Sequence, residues 1–163
     1  RSGGIINVYT EVGKGTRFNV YFPRAEATEM AVARPPLSRP LTGTETVLVV
    51  EDAGELRELA RRLLERQGYT VMVAANADEA LQLFEQHPSI DVLLTDVVMP
   101  GVSGPELTRQ LVERRPTLKV IHMSGYTDDA SVQDTMLGPG IAFLHKPFSP
   151  ETLGQKIREV LDR

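Results

Sequence analysis

From Thr46 onward, short β-branched runs alternate with stretches whose apolar positions recur at helical spacing. Thr46–Val50 (TVLVV) is a continuous apolar run, the pattern of a strand covered on both faces. Leu56, Leu59, Ala60, Leu63 and Leu64 follow at helical intervals, with Arg57, Glu58, Arg61, Arg62 and Glu65 on the opposite side. That spacing predicts an amphipathic helix. Gly68 stops it, and residues 69–74 predict a second strand. Asn76-Ala77-Asp78-Glu79 has the layout of a capping box and opens a helix to about Gln86. Residues 90–95 read as strand three, Pro105 as the first position of helix three, and residues 119–123 as strand four. A less regular helical pattern covers 130–137, strand five covers 141–145, and Ser149-Pro150 caps a last helix through Leu153, Ile157, Val160 and Leu161. Five strand–helix units with right-handed crossovers predict an α/β fold, a doubly wound five-stranded parallel sheet with helices on both faces.

The first 45 residues have a different texture. Ile6 and Val8 precede Gly13-Lys14-Gly15, and Phe18, Val20 and Phe22 follow it, which predicts a β-hairpin within residues 1–24. Residues 25–45 carry Ala, Arg, Thr and three prolines (Pro35, Pro36, Pro40) with little apolar periodicity, and read as a linker. The domain organisation expected is therefore a hairpin over 1–24, a linker over 25–45 and an α/β domain over 46–163.

Composition narrows the chemistry. The chain has 163 residues and no cysteine, so disulfides and thiolate metal sites are excluded. Residues 1–45 hold six Lys/Arg and four Asp/Glu, and residues 46–163 hold twelve and eighteen. The α/β portion is thus six charges net negative, which argues against nucleic-acid binding. No apolar run reaches the length of a membrane span, and the first residues lack a signal-peptide layout. A chain beginning on arginine is expected to be part of something longer.

In an open α/β sheet the ligand site lies beyond the carboxyl ends of the strands. Strand one ends in Glu51-Asp52, strand three in Asp96, strand four in Ser124-Gly125 and strand five in Lys146-Pro147. Three carboxylates, a hydroxyl and an ammonium therefore converge on one edge. Crowded carboxylates repel each other, and a divalent cation relieves the repulsion. An all-oxygen set suits Mg²⁺, which leaves room for a phosphate oxygen. Asp96 is then a nucleophile forming an acyl phosphate, with Lys146 and Ser124 binding the transferred oxygens. Any one of these residues alone has a plainer reading, as a helix cap, a turn or a surface lysine. Their joint occurrence at successive strand ends is what points to a site.

VLVVED, LLTDVVMPGVSG, HMSGY and FLHKPF, in that order over residues 46–163, resemble the receiver (response-regulator) domain of two-component signalling. The resemblance implies a flavodoxin-like sheet of strand order 2-1-3-4-5, with Asp96 as phosphoacceptor. It implies Mg²⁺ held by Asp52, by Asp96, by the backbone carbonyl of Val98 and, through bound water, by Glu51. It implies further that Ser124 and Phe143 are switch residues, that Lys146 binds phosphate, and that Lys146-Pro147 is cis. Glu51 stands where aspartate is often found, and Ala53 where a polar residue is common. Val98 and Tyr126 border the route of the hydrolytic water and bear on phosphate lifetime. GGIINVYTEVGKGTRFNVYFP resembles the closing hairpin of a histidine-kinase ATP-binding domain, without the remaining nucleotide motifs, so no ATP binding is expected. The order of the pieces resembles the C-terminus of a hybrid sensor histidine kinase.

A receiver of this kind is implied to be a phosphorelay phosphoprotein of the cytoplasm. It takes a phosphoryl group from a phosphohistidine, on its own or a partner kinase or on a histidine phosphotransfer protein. The switch rearranges the surface of the fourth helix, fifth strand and fifth helix, through which a homodimer can also form. The implied parent is a phosphotransferase. This stretch lacks the kinase core and would catalyse only its own phosphorylation and dephosphorylation. Two rivals stand beside this reading. A haloacid-dehalogenase-type phosphatase needs a second aspartate two positions after the nucleophile, where Val98 stands. A pseudo-receiver would dock on a partner without being phosphorylated. The three histidines read as structural. His87 lies in a loop, His122 inside a strand, and His145 faces away from Lys146 by strand alternation.

Overall fold

The computed structural model describes residues 4–23, 41–125 and 141–163. The helix expected over 130–137, Tyr126 and most of the linker lie outside the described residues. The chain divides into two compact units, Arg1–Ser38 and Arg39–Arg163, each taken by itself.

In the first unit, β1 (Ile5–Glu11) and β2 (Gly15–Tyr21) form the expected antiparallel hairpin. The turn uses Gly13 and Gly15, both at positive φ. The register pairs Ile6 with Val20 and Val8 with Phe18, which collects one apolar face. These side chains are exposed.

The second unit is the five-stranded sheet. Its strands are β3 (Thr46–Val50), β4 (Thr70–Ala74), β5 (Ile90–Asp96), β6 (Lys119–Ser124) and β7 (Ala142–His145), in the order β4-β3-β5-β6-β7 with every pair parallel. This is the 2-1-3-4-5 order expected. The helices are α1 (Gly54–Arg66), α2 (Ala77–Gln86), α3 (Gly104–Arg114) and α4 (Pro150–Leu161).

Strand alternation explains how one apolar run serves two cores. Val47 and Val49 of β3 join Ala60 and Leu64 of α1 and Leu153, Ile157 and Val160 of α4 on one face. Leu48 and Val50 join Ala80 and Phe84 of α2 and Leu107 and Leu111 of α3 on the other. All five β3 residues are buried.

The helix starts follow their caps. Asn76 Oδ1 accepts from Glu79 N at 2.9 Å, and Glu79 reaches back to accept from Ala75 N at 2.8 Å. This is a reciprocal cap displaced by one residue from the usual box. Ser149 caps α4 with Pro150 in its first turn. α3 starts one residue before the position expected from Pro105, because Ser103 is its cap and Gly104 its first residue. Helix α1 has no side-chain cap, as Ala53 supplies none; the Glu51 carboxylate instead accepts from Ala53 N at 3.4 Å.

Gly104 is required by packing. A Cβ there would lie 1.9 Å from the Asp96 carbonyl oxygen, which is backbone and has little room to give. Gly104→Ala is expected to cost about 1–3 kcal/mol, the range for overpacking a tight contact. The loss would be read as a lowered midpoint in urea unfolding.

Candidate functional site

The carboxyl ends of β3, β5, β6 and β7 form one rim. Backbone hydrogen bonds carry the strand pairing slightly past the strand ends. Glu51 N donates to Ala74 O at 3.2 Å, Val97 N to Met123 O at 3.0 Å, and Lys146 N to Ser124 O at 2.7 Å. Residues that sequence spacing scatters over almost a hundred positions are thereby fixed side by side.

Glu51, Asp52 and Asp96 each offer a carboxylate oxygen, and these oxygens lie within 4.8 Å of one another. Glu51 and Asp96 are buried, whereas Asp52 is exposed. Lys146 bridges the two buried acids, its Nζ 2.7 Å from Glu51 Oε2 and 2.9 Å from Asp96 Oδ2. The Lys146-Pro147 bond is cis, as expected. Burial raises the pKa of Glu51, and the lysine only partly offsets it. Burial also works against the charged form of Lys146, but its hydrogen bonds and charge pairing with Glu51 and Asp96 prevail and raise its pKa. The ammonium therefore persists throughout the neutral range, holding together acids that would otherwise repel.

The Val98 side chain, two residues after Asp96, is exposed. Arg57 is a site residue that sequence reasoning left on the solvent face of α1. Its Nη1 donates to the carbonyl of Glu51 and, at 3.2 Å, to that of Asp52. The available signal was its place in the first turn of the helix after the acidic pair, close enough to fold back onto that loop.

Ser124, at the end of β6, is 1% exposed. Its Oγ lies 3.2 Å from His145 Nδ1. Phe143 is half-buried, with its ring edge-on to His122 at 5.8 Å between centroids. His122 is fully buried and its Nε2 lies 2.8 Å from Thr108 Oγ1. His122, Ser124, Phe143 and His145 are register partners two by two, so they occupy one face of the β6–β7 pair. His122 lies inside the strand, in the place expected for it. His145, exposed at the end of β7, is not an isolated surface histidine, for it touches the hydroxyl that the sequence marked as a switch.

Residues 47–158 match the response regulator receiver domain. The chain belongs to this family. It is similar to the sensor kinase CckA of Brucella abortus, with 37% identity over 172 residues covering 100% of this chain and 18% of that protein. Among solved structures, the receiver domain of the hybrid histidine kinase CckA is 34% identical with a TM-score of 0.59, covering 71% of this chain and 98% of that one. A receiver domain protein from Clostridium thermocellum is 30% identical with a TM-score of 0.67, covering 73% and 95%. The chain spans under a third of the length of several curated relatives that it matches. The receiver assignment gives the converging rim its context: a five-stranded parallel sheet whose acidic edge carries Asp96 at the end of its central strand. No helix among the described residues is long and apolar enough to cross a membrane.

Proposed function

We propose that this receiver accepts a phosphoryl group on Asp96 from a phosphohistidine and passes the change to a partner through the surface of the fourth helix expected from the sequence, β7 and α4. The observation that supports it best is the bridge from Lys146 to Asp96 and Glu51, at 2.9 and 2.7 Å, beside a third carboxylate. A fixed cation beside Asp96 suits an incoming phosphoryl oxygen. In the transfer, an Asp96 oxygen forms a bond to phosphorus as the phosphorus–nitrogen bond breaks, and the electron pair leaves on the imidazole nitrogen. Lys146 takes charge developing on the phosphoryl oxygens.

The donor set fits Mg²⁺. It consists of oxygens alone, the three carboxylates approach within 4.8 Å, and burial already disfavours a second uncompensated negative charge at Glu51. Asp52, Asp96 and the Val98 carbonyl would hold the ion directly and Glu51 through water. When bound, the ion supplies charge neutralisation for the phosphoryl oxygens. Arg57 keeps the Glu51–Asp52 backbone in place for that role.

The wider assignment is also a proposal. The CckA similarity runs over the whole chain, hairpin included, which supports residues 1–24 as the closing hairpin of a kinase ATP-binding domain, 25–45 as a linker and 46–163 as the receiver. A cytoplasmic hybrid kinase is the parent this favours, with a kinase or histidine phosphotransfer protein as phosphodonor.

Incubation with acetyl phosphate and Mg²⁺ is expected to add one phosphoryl mass to the intact protein. The adduct should be labile to hydroxylamine, as an acyl phosphate is, and should map to Asp96. Protein that stays unmodified under these conditions, or is modified elsewhere, would return the chain to the docking reading.

A further inference from the structure

We propose that His145 is a positioning residue, a latch that holds the Ser124 hydroxyl away from Asp96 and so sets how readily the site takes up a phosphoryl group. This rests on the reading of Asp96 as phosphoacceptor. Ser124 and His145 are paired across β6 and β7, so their side chains leave the same sheet face as neighbours. The 3.2 Å contact to His145 Nδ1 is the one hydrogen bond that Ser124 Oγ makes among the described residues. The hydroxyl is therefore engaged with β7.

To reach a phosphoryl oxygen on Asp96, Ser124 must rotate by about 120° into another staggered χ1 well. That breaks the contact to His145. A site whose competent rotamer is only partly populated binds with its affinity reduced by that fraction. One neutral hydrogen bond shifts such a balance by roughly 3- to 10-fold. The latch must still yield, and it does, because a hydrogen bond to an anionic phosphoryl oxygen is charge-assisted and stronger than the neutral one it replaces. His145 itself is exposed and stands outside the Glu51–Asp52–Asp96 cluster. Its influence runs through Ser124 alone. An imidazole at this strand position supplies a hydrogen-bonding atom at the reach the Ser124 hydroxyl requires.

The experiment titrates beryllofluoride with Mg²⁺ into the full chain and follows backbone amide NMR shifts. The variants are wild type, His145→Leu and His145→Asn, each also in a Ser124→Ala background. His145→Leu is expected to bind about 3- to 10-fold more tightly than wild type. His145→Asn, whose amide reaches the Nδ1 position, should restore wild-type binding. In the Ser124→Ala background all three should bind alike, which a general packing role for His145 would not produce. A second readout needs no phosphate analogue: the His145 ring ¹⁵N shifts should move in Ser124→Ala. Wild type that binds no beryllofluoride removes the phosphoacceptor reading, and the latch with it. Wild type that binds, with His145→Leu no tighter, or with ring shifts unmoved by Ser124→Ala, overturns the latch alone.

Discussion

Asp96→Asn is expected to abolish the phosphoryl adduct outright, and Lys146→Ala to slow its formation by about 10²- to 10³-fold while tightening Mg²⁺ binding. An amide is no nucleophile toward phosphorus at neutral pH, so the first loss is complete. The second follows from the two contacts Lys146 makes. Its Nζ sits 2.9 Å from Asp96 and 2.7 Å from Glu51. A preorganised cation at that place stabilises charge on the transferred oxygens, and deleting one such group typically costs two to three orders of magnitude. The same ammonium competes with the metal for the same oxygens. Removing a unit charge about 4–5 Å from the ion is worth ~1–4 kcal/mol across effective dielectrics of roughly 80 to 20. A gain of about fivefold or more in Mg²⁺ affinity is therefore expected. Intact-mass time courses at saturating Mg²⁺ give the rate, and calorimetric Mg²⁺ titration gives the affinity. A Lys146→Ala protein phosphorylated at the wild-type rate would take the lysine out of the chemistry. Unchanged Mg²⁺ affinity would mean that lysine and ion do not share carboxylate oxygens.

The opposite directions expected of these effects follow from two cations drawing on the same carboxylates in the proposed site. Lys146 keeps Glu51 and Asp96 together without an ion present, and it remains charged despite partial burial because those acids raise its pKa. Asp52 is exposed on the open side and is the carboxylate that Lys146 does not engage. A metal held there would have an approach that the lysine leaves clear. Arg57, bonded to the carbonyls of Glu51 and Asp52, braces the loop from below without consuming a carboxylate oxygen.

Much of this was legible in the sequence because each chemical residue ends a strand. Period-2 and period-3.6 patterns located β3, β5, β6 and β7 to within a residue or so, and the ligand-site rule for open sheets then named Glu51, Asp52, Asp96, Ser124 and Lys146. The part that escaped depends on lateral neighbours. Alternation put His145 opposite Lys146, but whether it meets Ser124 depends on the β6–β7 register, which a single strand's pattern does not contain. Arg57 escaped for a related reason. Its helical position shows which way the Cα–Cβ bond points, whereas a long guanidinium side chain can turn back to a backbone acceptor several residues away. The early start of α3 reflects Ser103, a better cap than the proline alone implied.

His122 carries the last and most quantitative expectation: wild-type stability should fall as pH drops from 6.5 toward 4, by about 3 kcal/mol more than in His122→Gln. The imidazole is fully buried, its Nε2 is spent on Thr108, and its Nδ1 has no partner among the described residues. Burial lowers its pKa from 6.5 to about 4. The folded protein therefore resists a proton that the unfolded chain accepts readily. Between those two pKa values the unfolded state binds about one proton more, so stability rises with pH across the window and is lost as pH falls through it. Glu51, with a raised pKa, works in the opposite sense and is common to both proteins, so the comparison cancels it. Glutamine keeps a polar atom within reach of the Thr108 hydroxyl and does not titrate. Urea unfolding at pH 7.5, 5.5 and 4.0 is the measurement. Parallel stability curves for the two proteins would mean that His122 takes up its proton in the folded state and finds a partner for it. The edge contact between His122 and Phe143 would then set a charged ring against Phe143.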